Sequence, residues 1–472
     1  MRSPHVIVIG GGLSGLSASI ALADFGFRVS LLEKTPRLGG RATSYVLPTG
    51  EQIDNCQHVT LRCCANLADF YSRTGVADKI RYYDQLVFAD SKGQRAFIKP
   101  SKLPAPFHLL PSFATFRLLK WKDKQAVAHA MLRIVGSGGR PELSGAITML
   151  DWLKQQKQTQ AAIDRFWRTV LVSALNEDLE YIDASYGIAV FWKAFLSNPG
   201  GFRVGIPAVP LADLYRSTSE RIERKQGHVR TRCGVAEIQV CGNKVSSVQV
   251  EDGSEMNADY YVAALTFDRL LKTLPDGIRT QEPFANFQNL LVSPITSVHL
   301  WFDRIVMQEP FLTSVDQTIQ WVFNKTKLYG DGPPKSAQYL QIVISASRGL
   351  RDRSQQEIIE LCKDELARLF PATREARLIR SVVICENAAT FSPQPGCDRW
   401  RPDQCTPISN LFLAGDWTQT GWPATMESAV RSGYRAAEAI LAQEGRPARV
   451  IQPELPVTGL ARWIHRTQGG RT

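Results

Sequence analysis

The chain has 472 residues, enough for two or three domains with large cores, and its 44% hydrophobic and 21% charged content describes a globular protein rather than a disordered one. No apolar run reaches the roughly 18 uninterrupted residues of a spanning helix, and the first strand starts within a few residues, so neither an integral nor a leader-bearing secreted protein is expected. The net charge of +11 calls for anionic partners; without basic runs interleaved with stacking aromatics it makes no case for nucleic acid, and an anionic membrane surface on the cytoplasmic side is the expectation.

In chain order, Val6-Ile-Val-Ile9 reads as a buried parallel strand and runs into Gly10-Gly-Gly-Leu-Ser-Gly15, after which apolar residues keep helical spacing to about residue 25. Phe27 to Glu33 is the second strand. The glycines therefore sit at a strand-to-helix turn, where Gly10-x-Gly12-x-x-Gly15 has meaning as a dinucleotide site. Gly10 permits the turn, Gly12 lets backbone approach a pyrophosphate, Gly15 allows close packing, and Leu13 and Ser14 open the helix whose N–H groups hold the phosphate. Glu33 ends the second strand, where its carboxylate can accept from a ribose hydroxyl and would repel the 2′-phosphate of NADP. The expected fold class is α/β (α+β overall), with a Rossmann-like nucleotide domain and a discontinuous second domain of mixed sheet and helices.

Lys34-Thr-Pro-Arg-Leu-Gly39-Gly40-Arg41 follows. It resembles the second glycine motif of FAD enzymes related to amine oxidases and phytoene desaturases, in which this segment lies along the flavin dinucleotide. The residues agree with that likeness, since paired glycines admit a ligand and Arg41 can meet phosphate charge. Ser44–Leu47 and Glu51–Ile53 bracket a hairpin turn. Asp54-Asn-Cys-Gln-His58 resembles the Asp-Asn-Gly-Gln-His of the squalene-associated branch, with Cys56 in place of glycine. If relatives need a positive φ there, Cys56 must relax the turn or bear strain.

A helix is expected over 62–75 and short strands near 86–88 and 96–98. Residues 103–121 are apolar and aromatic, flanked by Lys102, Arg117, Lys120, Lys122 and Lys124, which suits either a bilayer interface or a buried lid. Helical periodicity covers 124–135, 161–175 and 185–196, with Phe166, Trp167, Phe191, Trp192 and Phe195 as core. Residues 205–210 lead a helix to about Arg224, and strands follow at 228–232, 235–241, 244–251 and 259–263. By resemblance, the backbone of Val235 faces the adenine. Further strands are expected at 293–303, 338–345 and 382–386, with an amphipathic helix at 354–370. His299 alternates with apolar neighbours, as a hydrogen-bonded sheet histidine does.

The closing stretch, Asn410 to Ala429, reads as a strand ending at Gly415-Asp416 and a helix starting near Pro423. The resemblance implies that Asp416 lies near the ribityl–phosphate part of FAD and that the helix start, with Thr425 and Met426, sits beneath the flavin O2, where its positive end favours negative charge. In the tail, Leu460, Trp463 and Ile464 share helical spacing among Arg462, Arg466 and Arg471. Nine cysteines without a C-x-x-C pair, and seven histidines away from them, predict free thiols and no metal site. The expected organisation is FAD-binding over 1–90, 205–265 and 395–445, substrate-side over 91–204 and 266–394, and a basic tail over 446–472.

Gln57-His58, Leu103-Pro-Ala-Pro106 with Leu109-Leu-Pro111, Pro294-Ile295 with Val298–Asp303, and Trp417 and Trp422 together resemble the hydroxysqualene dehydroxylases, the squalene-associated FAD enzymes. That resemblance implies a long allylic alcohol, hydroxysqualene-like, losing its hydroxyl and receiving hydride from reduced flavin. His58 is then a candidate proton donor, directly or through water, against a purely structural histidine. Trp417 and Trp422 either face the developing cation or the flavin, or simply pack. A phytoene- or squalene-type desaturase, running the flavin in the opposite direction, and a non-catalytic isoprenoid escort are the alternatives. Contact with upstream synthase enzymes stays open.

Overall fold

The computed structural model describes residues 3–140, 143, 145–330 and 337–468. Two sheets organise the chain. The first has five parallel strands in the spatial order His228–Arg230, Arg28–Leu32, His5–Ile9, Tyr260–Ala263 and Leu411–Leu413. His5–Ile9 and Tyr260–Ala263 are buried throughout, as strands covered on both faces must be. The helices Leu13–Asp24 and Met426–Gln443 cover it, and these strands come from the three stretches expected to bind FAD.

The second sheet has seven strands in the order Leu378–Phe391, Val292–Phe302, Gln338–Ser345, Trp321–Asn324, Phe311–Ser314, Leu86–Ala89 and Arg95–Ile98. All neighbours are antiparallel except Phe311–Ser314 with Leu86–Ala89. Leu86–Ala89 falls within the predicted 1–90 segment but pairs in this second sheet, so the crossing lies before residue 90. Val204–Pro207, expected to lead a helix, is instead a strand between Thr60–Leu61 and Ile80–Tyr83; the helix is shorter, Arg216–Arg224. Pairings of two to four residues are too brief to print a period-two pattern.

The helices of the 91–204 segment include Trp121–Gly136, Met149–Gln155 and two that pass through wide π-turns, at Ile163–Arg168 and Phe191–Leu196. Trp167 in the first turn and Phe191 at the start of the second meet edge to face, with ring centroids 4.6 Å apart. The tail forms a helix, Gly459–Gln468. Ala461 is buried and Ile464 packs inward while Leu460 and Trp463 point outward, so the three apolar residues expected on one face are divided between two. Arg471 lies outside the described residues. Among the described residues no helix is long and apolar enough to cross a membrane, and no group of three or more His, Cys, Asp or Glu is placed to hold a metal.

Candidate active site

At the first turn Gly10 has φ +108°, and a Cβ there would meet the Ala264 carbonyl oxygen at 2.5 Å. A Cβ on Gly15 would stand 1.9 Å from the Gly10 carbonyl oxygen, which fixes the close helix packing. Gly12 differs: its nearest neighbour would be the Gly40 Cα at 3.9 Å. The two glycine motifs face one another there, joined by the Gly39 N–H donating to the Gly11 carbonyl at 2.8 Å. The helix from Leu13 and Ser14 has no side-chain cap, which leaves its leading N–H groups for an anion.

Glu33 is buried and accepts from the Gly11 N–H through Oε2 and from the Thr35 N–H through Oε1, both at 2.7 Å. It braces the glycine turn and keeps lone pairs for a ribose hydroxyl. Lys34 pairs at the surface with Glu251, at 2.6 Å. Val235 pairs with Val250, two residues after Cys233, whose N–H donates to the Glu33 carbonyl at 2.8 Å; the expected adenine-side strand therefore starts beside the carboxylate.

Arg41 joins distant parts of the chain. It donates to Asp416 Oδ1 and to the Ala389 carbonyl, each at 2.6 Å, linking the Gly39-Gly40 segment to the closing motif and to the second sheet. The closing helix starts at Met426, not Pro423: Thr425 is the cap, its Oγ1 accepting from the Ser428 N–H at 3.1 Å. A hydroxyl can satisfy an open helix N–H, whereas proline lacks a side-chain acceptor. Beyond Gly415, Trp417 donates to the Leu265 carbonyl at 2.9 Å and packs edge-on against Phe287, so its indole is part of the core. Trp422 donates to Glu454 at 3.0 Å, and Lys193 Nζ lies 4.6 Å over its ring. The protein itself supplies the cation on that face.

Two buried charges carry the site without having stood out in sequence. Arg401, its side chain fully buried, donates to the carbonyls of Thr418 at 2.6 Å and Trp422 at 2.9 Å, and reaches those of Asp416 and Trp417 at 3.3 Å. It also donates to the Tyr186 hydroxyl, on the helix Ala184–Val190. Lys325 is equally buried, and its Nζ lies 2.8 Å from Asp54 Oδ2, 2.6 Å from Gln57 Oε1 and 4.0 Å over the Tyr329 ring. Asp54 also accepts from the Tyr329 hydroxyl, from Ser44 Oγ at 2.8 Å and from the Leu211 N–H at 3.0 Å. Burial pushes the Asp54 carboxyl up, but the charge and hydrogen bond of Lys325 outweigh it and hold the group below the usual carboxylate range. Burial lowers Lys325, opposed by Asp54.

This pair anchors the loop that carries His58. His58 Nδ1 lies 2.9 Å from the Cys56 carbonyl, which can only accept, so Nδ1 bears the hydrogen and Nε2 the lone pair. Burial lowers the His58 pKa, with Arg41 and Lys325 adding to the effect against Asp54 and the Cys56 carbonyl, so the imidazole is neutral at pH 7. Cys56 has no left-handed backbone and bears no strain; burial pushes its thiol up to about 12. His299 is fully buried, bonded to the Tyr339 hydroxyl at 2.6 Å, and burial takes its pKa down to about 3, as suits a sheet histidine.

Between the second sheet and the helices of residues 107–196 a cavity of about 300 Å³ has an almost wholly apolar lining that includes Phe107, Leu110, Leu132, Phe166, Phe191 and Phe195. Phe195 also packs against the cluster of Cys63, Ala194 and Trp422, so the cavity wall and the closing loop share a side chain.

The description of the flavin containing amine oxidoreductases matches residues 13–441. The chain belongs to that family. As a flavin-containing amine oxidoreductase it takes FAD, and its own residues fit the group: an uncapped helix start, a cradle without Cβ atoms between Gly12 and Gly40, and Glu33 at the strand end. It is 26% identical to the 15-cis-phytoene desaturase of Solanum lycopersicum over 461 residues, covering 93% of this chain and 77% of that one. It is 27% identical to the zeta-carotene desaturase of Synechocystis sp. over 479 residues, covering 94% and 98%. Its fold is shared with an oxidoreductase from Methanosarcina mazei (TM-score 0.71, 18% identity, 93% and 100% covered) and with putrescine oxidase bound to putrescine (0.69, 14%, 93% and 99%).

Proposed function

We propose that this FAD-dependent oxidoreductase exchanges hydride with a long, linear isoprenoid, and that its reaction is the reductive removal of the hydroxyl of hydroxysqualene to give squalene. The observation that carries the isoprenoid part is the apolar cavity whose wall, through Phe195, meets the loop of Trp422. A hydrocarbon chain is the cargo for which such a lining needs no polar partner. The dehydroxylation rests on the motif resemblance at residues 57–58, 103–111, 294–303 and at the two tryptophans.

When bound, FAD supplies the two-electron step, giving hydride in this direction and taking it in the opposite one. The C–O bond breaks, the hydroxyl leaves as water with one added proton, and the carbon gains hydride. The protein's part is to deliver that proton in a water-poor site. His58, neutral with a lone pair at Nε2, must take up a proton before it can give one.

The second reading is desaturation of a phytoene-like hydrocarbon, and the comparisons favour it: the relatives at 26–27% identity are named phytoene and zeta-carotene desaturases. A resting His58 that can accept a proton at Nε2 suits that direction too. Anaerobic incubation of the reduced holoenzyme with hydroxysqualene separates the two. Squalene and reoxidised yellow flavin support dehydroxylation. No squalene, together with bleaching of the oxidised enzyme by a phytoene- or squalene-like polyene hydrocarbon, overturns it in favour of desaturation.

A further inference from the structure

The tail helix and the apolar stretch after residue 102, far apart in sequence, form one face. The Ala461 N–H donates to the Ala105 carbonyl at 3.2 Å, and a Cβ on Gly459 would stand 2.7 Å from that same oxygen. Ile464 packs inward beside this contact while Leu460 and Trp463, 49% and 69% exposed, point outward. Next to them are Leu103, Phe107 and Leu110, and on the helix Trp121–Gly136 the outward Trp121 and Leu132, 67% and 58% exposed. Of the fourteen large hydrophobic side chains exposed among the described residues, seven lie in these two stretches, so the exposure is concentrated and not scattered.

Phe107, Leu110 and Leu132 are both exposed on this face and part of the cavity lining. The cavity thus opens through the apolar patch. Charge distinguishes the kind of surface that covers it. Between Lys99 and Arg133 there are seven lysines and arginines and one acid, Asp123, which is buried and spent on the Lys120 N–H and the Thr159 hydroxyl. The tail helix adds Arg462 and has no acidic residue.

We infer that this composite face docks on an anionic lipid bilayer, with the tail helix as half of the platform, so that the cavity mouth opens directly into the acyl region. Apolar side chains ringed by cations are complementary to acyl chains beneath anionic headgroups. A second protein copy would have to bury the same cations against their like. The docking gives a purpose to the isoprenoid reading and rests on it only for the cargo; the binding itself is measured without substrate.

The test uses the FAD-loaded full chain in sedimentation with vesicles of phosphatidylcholine alone or with phosphatidylglycerol. Binding to the phosphatidylglycerol vesicles and little to phosphatidylcholine is expected. Trp121→Ser with Trp463→Ser should weaken it by roughly tenfold or more, and Lys102→Glu with Lys122→Glu should lose about fivefold per residue and the preference for anionic lipid. Trp463→Ser alone should weaken binding as well, because the tail is part of the face. In detergent micelles the variants should keep FAD, melting temperature and turnover. Loss of turnover in micelles by the unaltered enzyme would strike the isoprenoid reading and leave the docking standing. The docking is overturned if the unaltered protein ignores anionic vesicles, if both double variants sediment like it, or if light scattering shows a dimer that the tryptophan variants dissolve.

Discussion

Replacing Lys325 with Met leaves Asp54 as a charge buried without its counter-ion, since both side chains have no solvent exposure. Removing one member of a buried pair costs about 3–5 kcal/mol. Asp54 keeps three donors, Ser44, Leu211 and Tyr329, so the lower end is expected, about 3 kcal/mol. That corresponds to a fall in melting temperature of about 3 °C for a chain of 472 residues melting as one unit, at an unfolding entropy of about 2.1 cal/mol/K per residue. The pH dependence has a definite sign. In the unaltered protein the Asp54 pKa is depressed, so its contribution is present above the unfolded value near ~3.9 and is lost as pH falls through the folded one. In Lys325→Met the charge that outweighed burial is gone, and burial, opposed only by the hydrogen bonds of Tyr329 and Leu211, raises the group relative to the unaltered protein, so the penalty is full at alkaline pH and fades as acid protonates Asp54. The deficit should therefore widen between roughly pH 5 and pH 8. Adding Asp54→Asn should restore most of the loss, because the charge is gone and the donors retain an acceptor. Thermal melts of the four proteins followed by circular dichroism measure this. Equal melting of Lys325→Met and the unaltered enzyme at pH 8, or no recovery in the double variant, would refute the reasoning.

Arg401→Met frees four carbonyls of the closing loop, and FAD should be held roughly ten- to a hundredfold more weakly, read as apparent Kd from flavin fluorescence; Arg401→Lys, with a single point charge for a planar fork, should recover only part. Gly12→Ala and Gly15→Ala should part company: the first has room in the fold and should give folded protein that retains little FAD, while the second collides with the Gly10 carbonyl and should lower melting with or without flavin. Glu33→Gln keeps one acceptor for two backbone donors and should weaken FAD about tenfold, measured by flavin retention on dialysis. If His58 must carry a proton to the leaving hydroxyl, turnover falls as pH rises through its depressed pKa, below 6.5; if it accepts a proton in desaturation, turnover rises through the same value, and loss of either limb in His58→Ala checks that the limb belongs to it.

Local pattern made the nucleotide half readable. The run Val6–Ile9, the glycine spacing and Glu33 lie within one βαβ unit, where each residue's role follows from neighbours a few positions away. The same holds for the hairpin at Ser44–Asp54 and for the helix Gln355–Leu369, whose Ser354 and Glu357 form a capping box. Pro423 was misleading because proline suits a first helical turn, yet Thr425 two residues later supplies the hydroxyl that ends the open N–H groups. Lys325 and Arg401 were illegible for a different reason. Lys325 meets Asp54 from 271 positions away, and Arg401 meets Tyr186 from 215, and nothing beside either residue marks it as buried. A lone cation in a loop or a one-turn helix reads as solvated until the fold closes over it.

Those long-range partners share a geometry. Arg41 ties the Gly39-Gly40 segment to Asp416 and to the strand Leu378–Phe391; Lys325 ties the Asp54–His58 loop to the end of Trp321–Asn324; Arg401 ties the closing loop to the helix Ala184–Val190. Each junction joins a segment expected to bind FAD to one expected on the substrate side, with a charge whose hydrogen bonds tolerate little displacement. Apolar contact between the two halves would accept a slide of an ångström with small loss, because dispersion is undirected. Hydride exchange would not, since reacting atoms must come within about 3–3.5 Å in line. Three directional ties across one boundary fix what packing leaves free, and the desolvation they cost goes to registration between the two halves before stability.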